Sequence, residues 1–279
     1  MLALVAAAAA APASTRAVVD GVLQPTSRFT DWYQASLPTG ACLSAANHHS
    51  QLHQDQRVVE ATGCMRDGYY VDIGSNDGEV LSNTFALDQQ FGWRGLCADP
   101  FPHNMANRTC AVEAGVMWNV AGEQVQFEAT AGDGGVFGSV VGVDSGREGN
   151  IATHAVRNVT FITRTAREVF AEHSVPSVVD YLSLDVEGAE MHVLRGIDHA
   201  AHCFRNVALE SNLREPMRSE MREFLEAHAY TYAGSERFDD YYQNDCTRQS
   251  GIYPLLMDRV NGWVSNMLHA PAGESEGLV

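Results

Sequence analysis

Short apolar runs alternate with stretches of helical periodicity along most of the chain. Residues 68–73, ending Tyr69-Tyr70-Val71-Asp72-Ile73, are aromatic and β-branched and run into a glycine turn, which predicts a buried strand. Over 79–91, Leu81, Phe85 and Phe91 fall near one face and Gly92 follows, which predicts a helix. Residues 96–98 predict a second strand closed by Asp99-Pro100, 102–108 a short helix and 111–116 a third strand. The rhythm breaks over 118–164, where strands at 123–130 and 159–163 flank a glycine-rich stretch, 131–150, read as a hairpin-like excursion with a mobile loop. It resumes with helices at 166–173, 189–195 and 216–228 and strands at 180–184, 207–209 and 230–233. A late antiparallel strand near 240–244 is expected beside 207–210. Such alternation predicts an α/β fold, Rossmann-like, with a doubly wound and mostly parallel sheet. The expected organisation is a signal-like segment over 1–15, a helical lead-in over 16–67, the main domain over 68–262 and a tail over 263–279.

Composition narrows the chemistry. The chain has 279 residues, 45% of them hydrophobic, enough for a sizeable core. Basic residues number 18 against 35 acidic ones, and every basic residue is arginine. Without lysine there is no Schiff base, no phosphate loop ending in Gly-Lys-Ser/Thr, no kinase lysine and no lysine-activated hydroxyl. The net charge of −17 weighs against nucleic acid as a partner and reads mainly as a solvated surface. After the N-terminus no apolar run is long enough for a membrane span. The opening MLALVAAAAAAPAS, with Ala11-Pro12-Ala13 as a cleavage site, would direct the chain to the secretory pathway lumen or outside; otherwise the location is cytoplasmic. The six cysteines match no zinc spacing. In a secretory chain Cys203 and Cys246 would meet and bridge, whereas Cys97 and Cys110, on neighbouring parallel strands, are less well placed.

The first strand leads into Asp72-Ile73-Gly74-Ser75-Asn76-Asp77-Gly78. Gly74 permits a sharp turn, Asn76 or Asp77 tolerates left-handed angles, and Gly78 lets a ligand approach the backbone. A helix N-terminus placed next would favour an anionic group. Asp99, ending the second strand, suits ribose hydroxyls. Asn76 stands where a dinucleotide site wants its second glycine, and Asp72 suits an ammonium, so S-adenosyl-L-methionine is favoured over a nicotinamide cofactor.

A second constellation, Asp185-Val186-Glu187-Gly188-Ala189-Glu190, places carboxylates where a later strand meets its helix. Ligands of open α/β sheets bind at this edge. Crowded carboxylates raise one another's pKa or hold a cation, so Asp185 and Glu187 read as a general base for a hydroxyl or as ligands of a divalent metal. Glu190 reads as a helix-start acid. Glu210 joins from the next strand; His154 and His192 are outside candidates, and His48, His49 and His53 are read as surface residues.

The stretch Tyr70 through Gly78, Leu81-Ser82-Asn83-Thr84, Gly92-Trp93-Arg94-Gly95-Leu96-Cys97 and the block over 180–190 together resemble FkbM-type methyltransferases. Ser50-Gln51 and Gln54-Asp55 look like that family's lead-in. The resemblance implies a class I methyltransferase fold using S-adenosyl-L-methionine, with a sugar or glycan hydroxyl as acceptor. It implies that Asp72, Gly74, Asn76 and Gly78 hold the cofactor, Asp99 its ribose, and that Asp185 and Glu187 lie near the transferred methyl; Ser75, in the same turn, is read as a further cofactor contact and Glu210 as a weaker catalytic candidate. Ser75 stands where the family usually has alanine, and Asp99-Pro100-Phe101-Pro102 replaces Glu-Pro-Asn-Pro, shortening the ribose acid by one methylene. The alternative is a catalytically silent scaffold with the same fold.

Overall fold

A computed structural model describes residues 18–19, 22–23, 47–130, 138–144 and 156–247. The chain divides into two units, Met1–Leu37 and Pro38–Val279. In the first, β1 (Val18–Val19) and β2 (Val22–Leu23) form a short antiparallel hairpin. In the second, α1 (Gln54–Ala61) precedes β3 (Tyr69–Ile73), α2 (Phe85–Phe91), β4 (Arg94–Asp99), β5 (Ala111–Ala114), β6 (Met117–Trp118), β7 (Gln124–Thr130) and β8 (Ser139–Val140). There follow β9 (Val156–Ile162), β10 (Arg164–Thr165), α3 (Ala166–Glu172), β11 (Val178–Leu184), α4 (Glu190–Gly196), β12 (Cys203–Glu210), α5 (Met217–Ala227), β13 (Thr231–Glu236) and β14 (Asp239–Gln243).

Seven strands form the main sheet in the order β13-β14-β12-β11-β3-β4-β5. Only β14 runs against the others, pairing antiparallel with both β12 and β13. This is the Rossmann-like, doubly wound α/β sheet with a late antiparallel strand that the sequence predicts. The central strands are apolar on both sides because both faces are covered. Val71, Ile73, Leu182, Leu184 and Leu209 pack on one face with α3, α4 and α5, while Tyr70, Cys97, Tyr181 and Ala208 pack on the other with α1 and α2. A capping box of Thr165 and Glu168 fixes the start of α3.

Several expectations are corrected. The helix foreseen over 79–91 begins only at Phe85. Asp77 Oδ1 accepts the amides of Glu79 and Val80, and Leu81 is left-handed at φ 58°, so the preceding residues make a turn. The helix foreseen over 102–108 is a single 3-10 turn, Met105–Asn107. His48 and His49 are not free surface residues: His48 Nδ1 lies 3.4 Å from Asp55, and the His49 amide donates to the same carboxylate. The 118–164 excursion is a three-stranded sheet, β8-β7-β9. Residues 131–137 and 145–150 of its glycine-rich stretch lie outside the described residues, as do 1–15 and 263–279.

Cys203 and Cys246 are bridged, and so are Cys97 and Cys110, contrary to the sequence reading. Cys97 is opposite Val112 in the β4–β5 register, so Cys110, two residues earlier, shares its face, with the Cα atoms 5.8 Å apart. Replacing Cys203 and Cys246 by serine opens a closure of 43 residues and is expected to lower unfolding free energy by about 3–4 kcal/mol in a chemical denaturation series.

Candidate active site

Four strands deliver their C-terminal ends to one crevice: β3 runs into Gly74, β4 ends at Asp99, β11 runs into Asp185 and β12 ends at Glu210. Gly74 adopts φ 90°, and a Cβ there would stand 1.6 Å from the Asp185 carbonyl oxygen. The Asp185 amide donates to the Ile73 carbonyl at 3.0 Å, so the glycine turn and the acid-rich loop are joined through backbone. Gly74 also donates to the Ala98 carbonyl at 2.8 Å. Asn76 is left-handed at φ 37°, as its residue type allows.

Asp99 ties this turn to the next strand. One carboxylate oxygen accepts the Asn76 amide at 3.0 Å and the other the Phe101 amide at 2.7 Å. Burial pushes its carboxyl up, and these two amides oppose that shift. Asp72 lies deeper, 2% exposed, and accepts Thr84 Oγ1 at 2.6 Å. Burial raises its carboxyl too, against the Thr84 bond, the Arg108 charge and a bond from Ser183. Ser75 Oγ and Asn76 Oδ1 are buried with no hydrogen-bond partner among the described residues. Two orphaned polar atoms on such a turn fit a polar ligand there. Gly78 serves a different purpose from the one expected: a Cβ there would meet the Asn104 carbonyl at 2.4 Å, so the chain itself makes the close approach. Nor does a helix start beside the turn, since α2 begins six residues beyond Glu79.

The acids converge on the far side of Gly74. Asp185, Glu187 and Glu210 each offer a carboxylate oxygen, all within 4.8 Å of one another. Glu187 is buried and left-handed at φ 57°, followed by Gly188 at φ 96°. A non-glycine residue held there costs roughly 1–3 kcal/mol, the kind of strain that gathers at functional sites. Burial, with the neighbouring Glu187 charge, pushes Glu210 up to about 8, against a hydrogen bond with Asp185. Glu190 Oε1 accepts the Val186 and Gly188 amides and braces the loop, in line with a helix-start role. Burial pushes it up to about 7.

Further groups frame the crevice that sequence reasoning passed over. Asp239 opposes Glu210 in the β12–β14 register and accepts Gln54 Nε2 at 2.7 Å; burial pushes it up to about 6. Asn83 donates to Ser183 Oγ. Leu81-Ser82-Asn83-Thr84 was visible as a block of the family resemblance, but its polar roles needed the fold. On the opposite side, Phe127 and Phe161 of the small sheet pack with Phe101 and Val186, which places that sheet beside the acid loop. Arg214, beyond β12, pairs with Asp144, which follows β8. His192 stacks on Trp118 at 3.6 Å with Nδ1 on Asn119, and burial lowers its pKa. His154 lies outside the described residues.

A glycine turn, an acid on the following strand and a carboxylate cluster meet at the sheet edge where ligands of open α/β folds bind. The Methyltransferase FkbM domain profile matches residues 72–232, more than half of the chain. The chain belongs to the FkbM methyltransferase family. No curated protein and no solved structure matches it. Among the described residues no helix is long and apolar enough to cross a membrane.

The raised carboxyls make stability depend on pH with a definite sign. Glu210 and Glu190 have folded pKa values near 8 and 7, above the ordinary 4.5. The folded state therefore binds more protons than the unfolded one across that window. Their stabilising contribution is complete below the ordinary value and drains away as pH rises through the folded values. Tm is expected to fall between about pH 5 and about pH 8.5, and Glu210→Gln to flatten the upper part of that slope. A wild-type Tm that climbs over this range would contradict the assignment.

Proposed function

We propose that this protein is an S-adenosyl-L-methionine-dependent O-methyltransferase acting on a hydroxyl of a sugar or glycan. One observation carries the reading: the Asp185–Glu187–Glu210 cluster is held in backbone contact with the glycine turn whose Ser75 and Asn76 side-chain atoms are buried and unpartnered. The cofactor would supply an electrophilic methyl group on a sulfonium.

The chain's own residues then divide the work. Ser75 and Asn76 offer polar atoms to the bound cofactor, with Gly74 and Gly78 shaping the turn that carries them. Asp99 keeps a spare lone pair on each oxygen for ribose hydroxyls after accepting its two amides. Asp72, beneath the turn and hydrogen-bonded to Thr84, is the carboxyl that suits the cofactor's ammonium. The acceptor oxygen has to lie in line with the methyl group. A sugar hydroxyl is weakly acidic, so Asp185 or Glu187 takes its proton, beside Glu210, whose carboxyl burial and the Glu187 charge push up. The same three oxygens suit a divalent cation, which would offset the repulsion among the carboxylates. The Cys97–Cys110 and Cys203–Cys246 disulfides support folding in an oxidising compartment, such as the secretory lumen.

S-adenosylhomocysteine is expected to raise Tm, by mass action on the folded state; no shift at saturating ligand would leave the silent-scaffold alternative standing. With radiolabelled methyl donor and a panel of glycans and simple hydroxyl compounds, transfer is expected to a sugar hydroxyl, with a magnesium arm reporting metal dependence. Asp185→Asn is expected to keep S-adenosylhomocysteine affinity and reduce kcat by about 10²-fold or more. Undiminished kcat in that variant would remove Asp185 from the proton path.

A further inference from the structure

Beneath the glycine turn lies a buried charge pair that the chemistry above does not use. The Arg108 and Asp88 side chains are both 0% exposed and form an ion pair, Nε to Oδ2 at 2.9 Å. A guanidinium has five N–H donors, and here all five find acceptors. Nε donates to Asp88; one terminal nitrogen donates to the Gly78 carbonyl at 2.9 Å and Ser82 Oγ at 3.2 Å. The other donates to Tyr70 Oη at 2.9 Å and Thr84 Oγ1 at 2.7 Å.

The direction of these bonds has a consequence at Thr84. Arginine cannot accept, so the Thr84 oxygen accepts from Arg108 and its single proton goes to Asp72 Oδ2, 2.6 Å away. Asp72 Oδ2 is thereby fixed as an acceptor. Tyr70 repeats the pattern, accepting from Arg108 and donating to Asp88 Oδ2 at 3.0 Å. One guanidinium thus faces two carboxyl groups, Asp88 directly and Asp72 through Thr84; burial raises the Asp72 carboxyl, while the Thr84 bond and the Arg108 charge oppose that rise.

We infer that Arg108 is the positioning residue of the cofactor site, acting through Thr84 on the Asp72 carboxylate and through the Gly78 carbonyl on the glycine turn. The inference rests on the S-adenosyl-L-methionine reading above and adds to it the group that sets the turn's shape and charge. Arg108 pins four elements at once: β3 through Tyr70, the exit of the glycine turn through Gly78, the 82–84 segment, and α2 through Asp88. A buried ion pair broken on one side leaves an uncompensated charge, so Arg108→Met risks unfolding the domain. Thr84→Val removes only the link, with little change of shape.

The test measures S-adenosylhomocysteine binding by calorimetry on the full chain, for wild type, Thr84→Val and Thr84→Ser, together with acceptor KM. Losing a hydrogen bond to a charged group is expected to weaken S-adenosylhomocysteine binding by about tenfold or more in Thr84→Val. Acceptor KM should stay within about twofold, and Thr84→Ser should recover most of the affinity. A merely structural Thr84 would lower Tm and leave the affinity of the folded protein unchanged, and that result overturns the inference while sparing the cofactor reading. Failure of the wild type to bind S-adenosylhomocysteine overturns both.

Discussion

The Asp185 carbonyl occupies the space that a side chain on residue 74 would need, 1.6 Å from an ideal Cβ, and the rest of the site follows from that contact. Parallel strands β3 and β11 are neighbours, but adjacency alone would not set how closely their outgoing loops approach. The missing Cβ and the Asp185 amide bond to Ile73 lock one loop onto the other. The turn with the orphaned Ser75 and Asn76 atoms and the carboxylates of Asp185, Glu187 and Glu210 are thus parts of one backbone frame. A catalyst that works mainly by aligning two reactants needs this kind of fixed spacing, since small displacements of a reacting atom are costly in rate.

The carboxylates show how the fold trades stability for chemistry. Asp185, Glu187 and Glu210 are mutually repulsive, and Glu190 and Asp239 are buried close by. A core built for stability alone would place apolar groups there. Amides from Val186 and Gly188 and the Gln54 side chain satisfy part of the cost, and raised proton affinity meets the remainder. Carboxyls held near neutrality can exchange a proton with an acceptor at little energetic expense, which surface acids cannot do.

The sheet was legible because its strands carry short β-branched or aromatic runs closed by turn residues, as in Tyr69–Ile73 and Val178–Leu184. The late antiparallel strand expected beside β12 is β14, and the Cys203–Cys246 bridge expected from that pairing is formed. Errors arose where a side chain overrode local periodicity. Leu81 and Phe85 are spaced for a helix, yet Asp77 captures the amides of Glu79 and Val80 and turns the chain first. Arg108 sits in a polar stretch, Asn107-Arg108-Thr109, that looks like surface; its five acceptors come from residues 24 to 38 positions away in four cases and 20 in the fifth, a gathering no local window can display. Asp239 was hidden for the same reason, since its importance depends on the register that sets it opposite Glu210.

The Cys97–Cys110 bridge closes a covalent ring that contains Asp99, Phe101, Asn104 and Arg108. Everything that touches the glycine turn from the β4 side therefore belongs to one small cyclic unit. Its freedom is already restricted before the domain folds, so much of the ordering is completed in the empty protein and need not be drawn from ligand binding. The half of the crevice built by this ring is thus shaped largely before a ligand arrives.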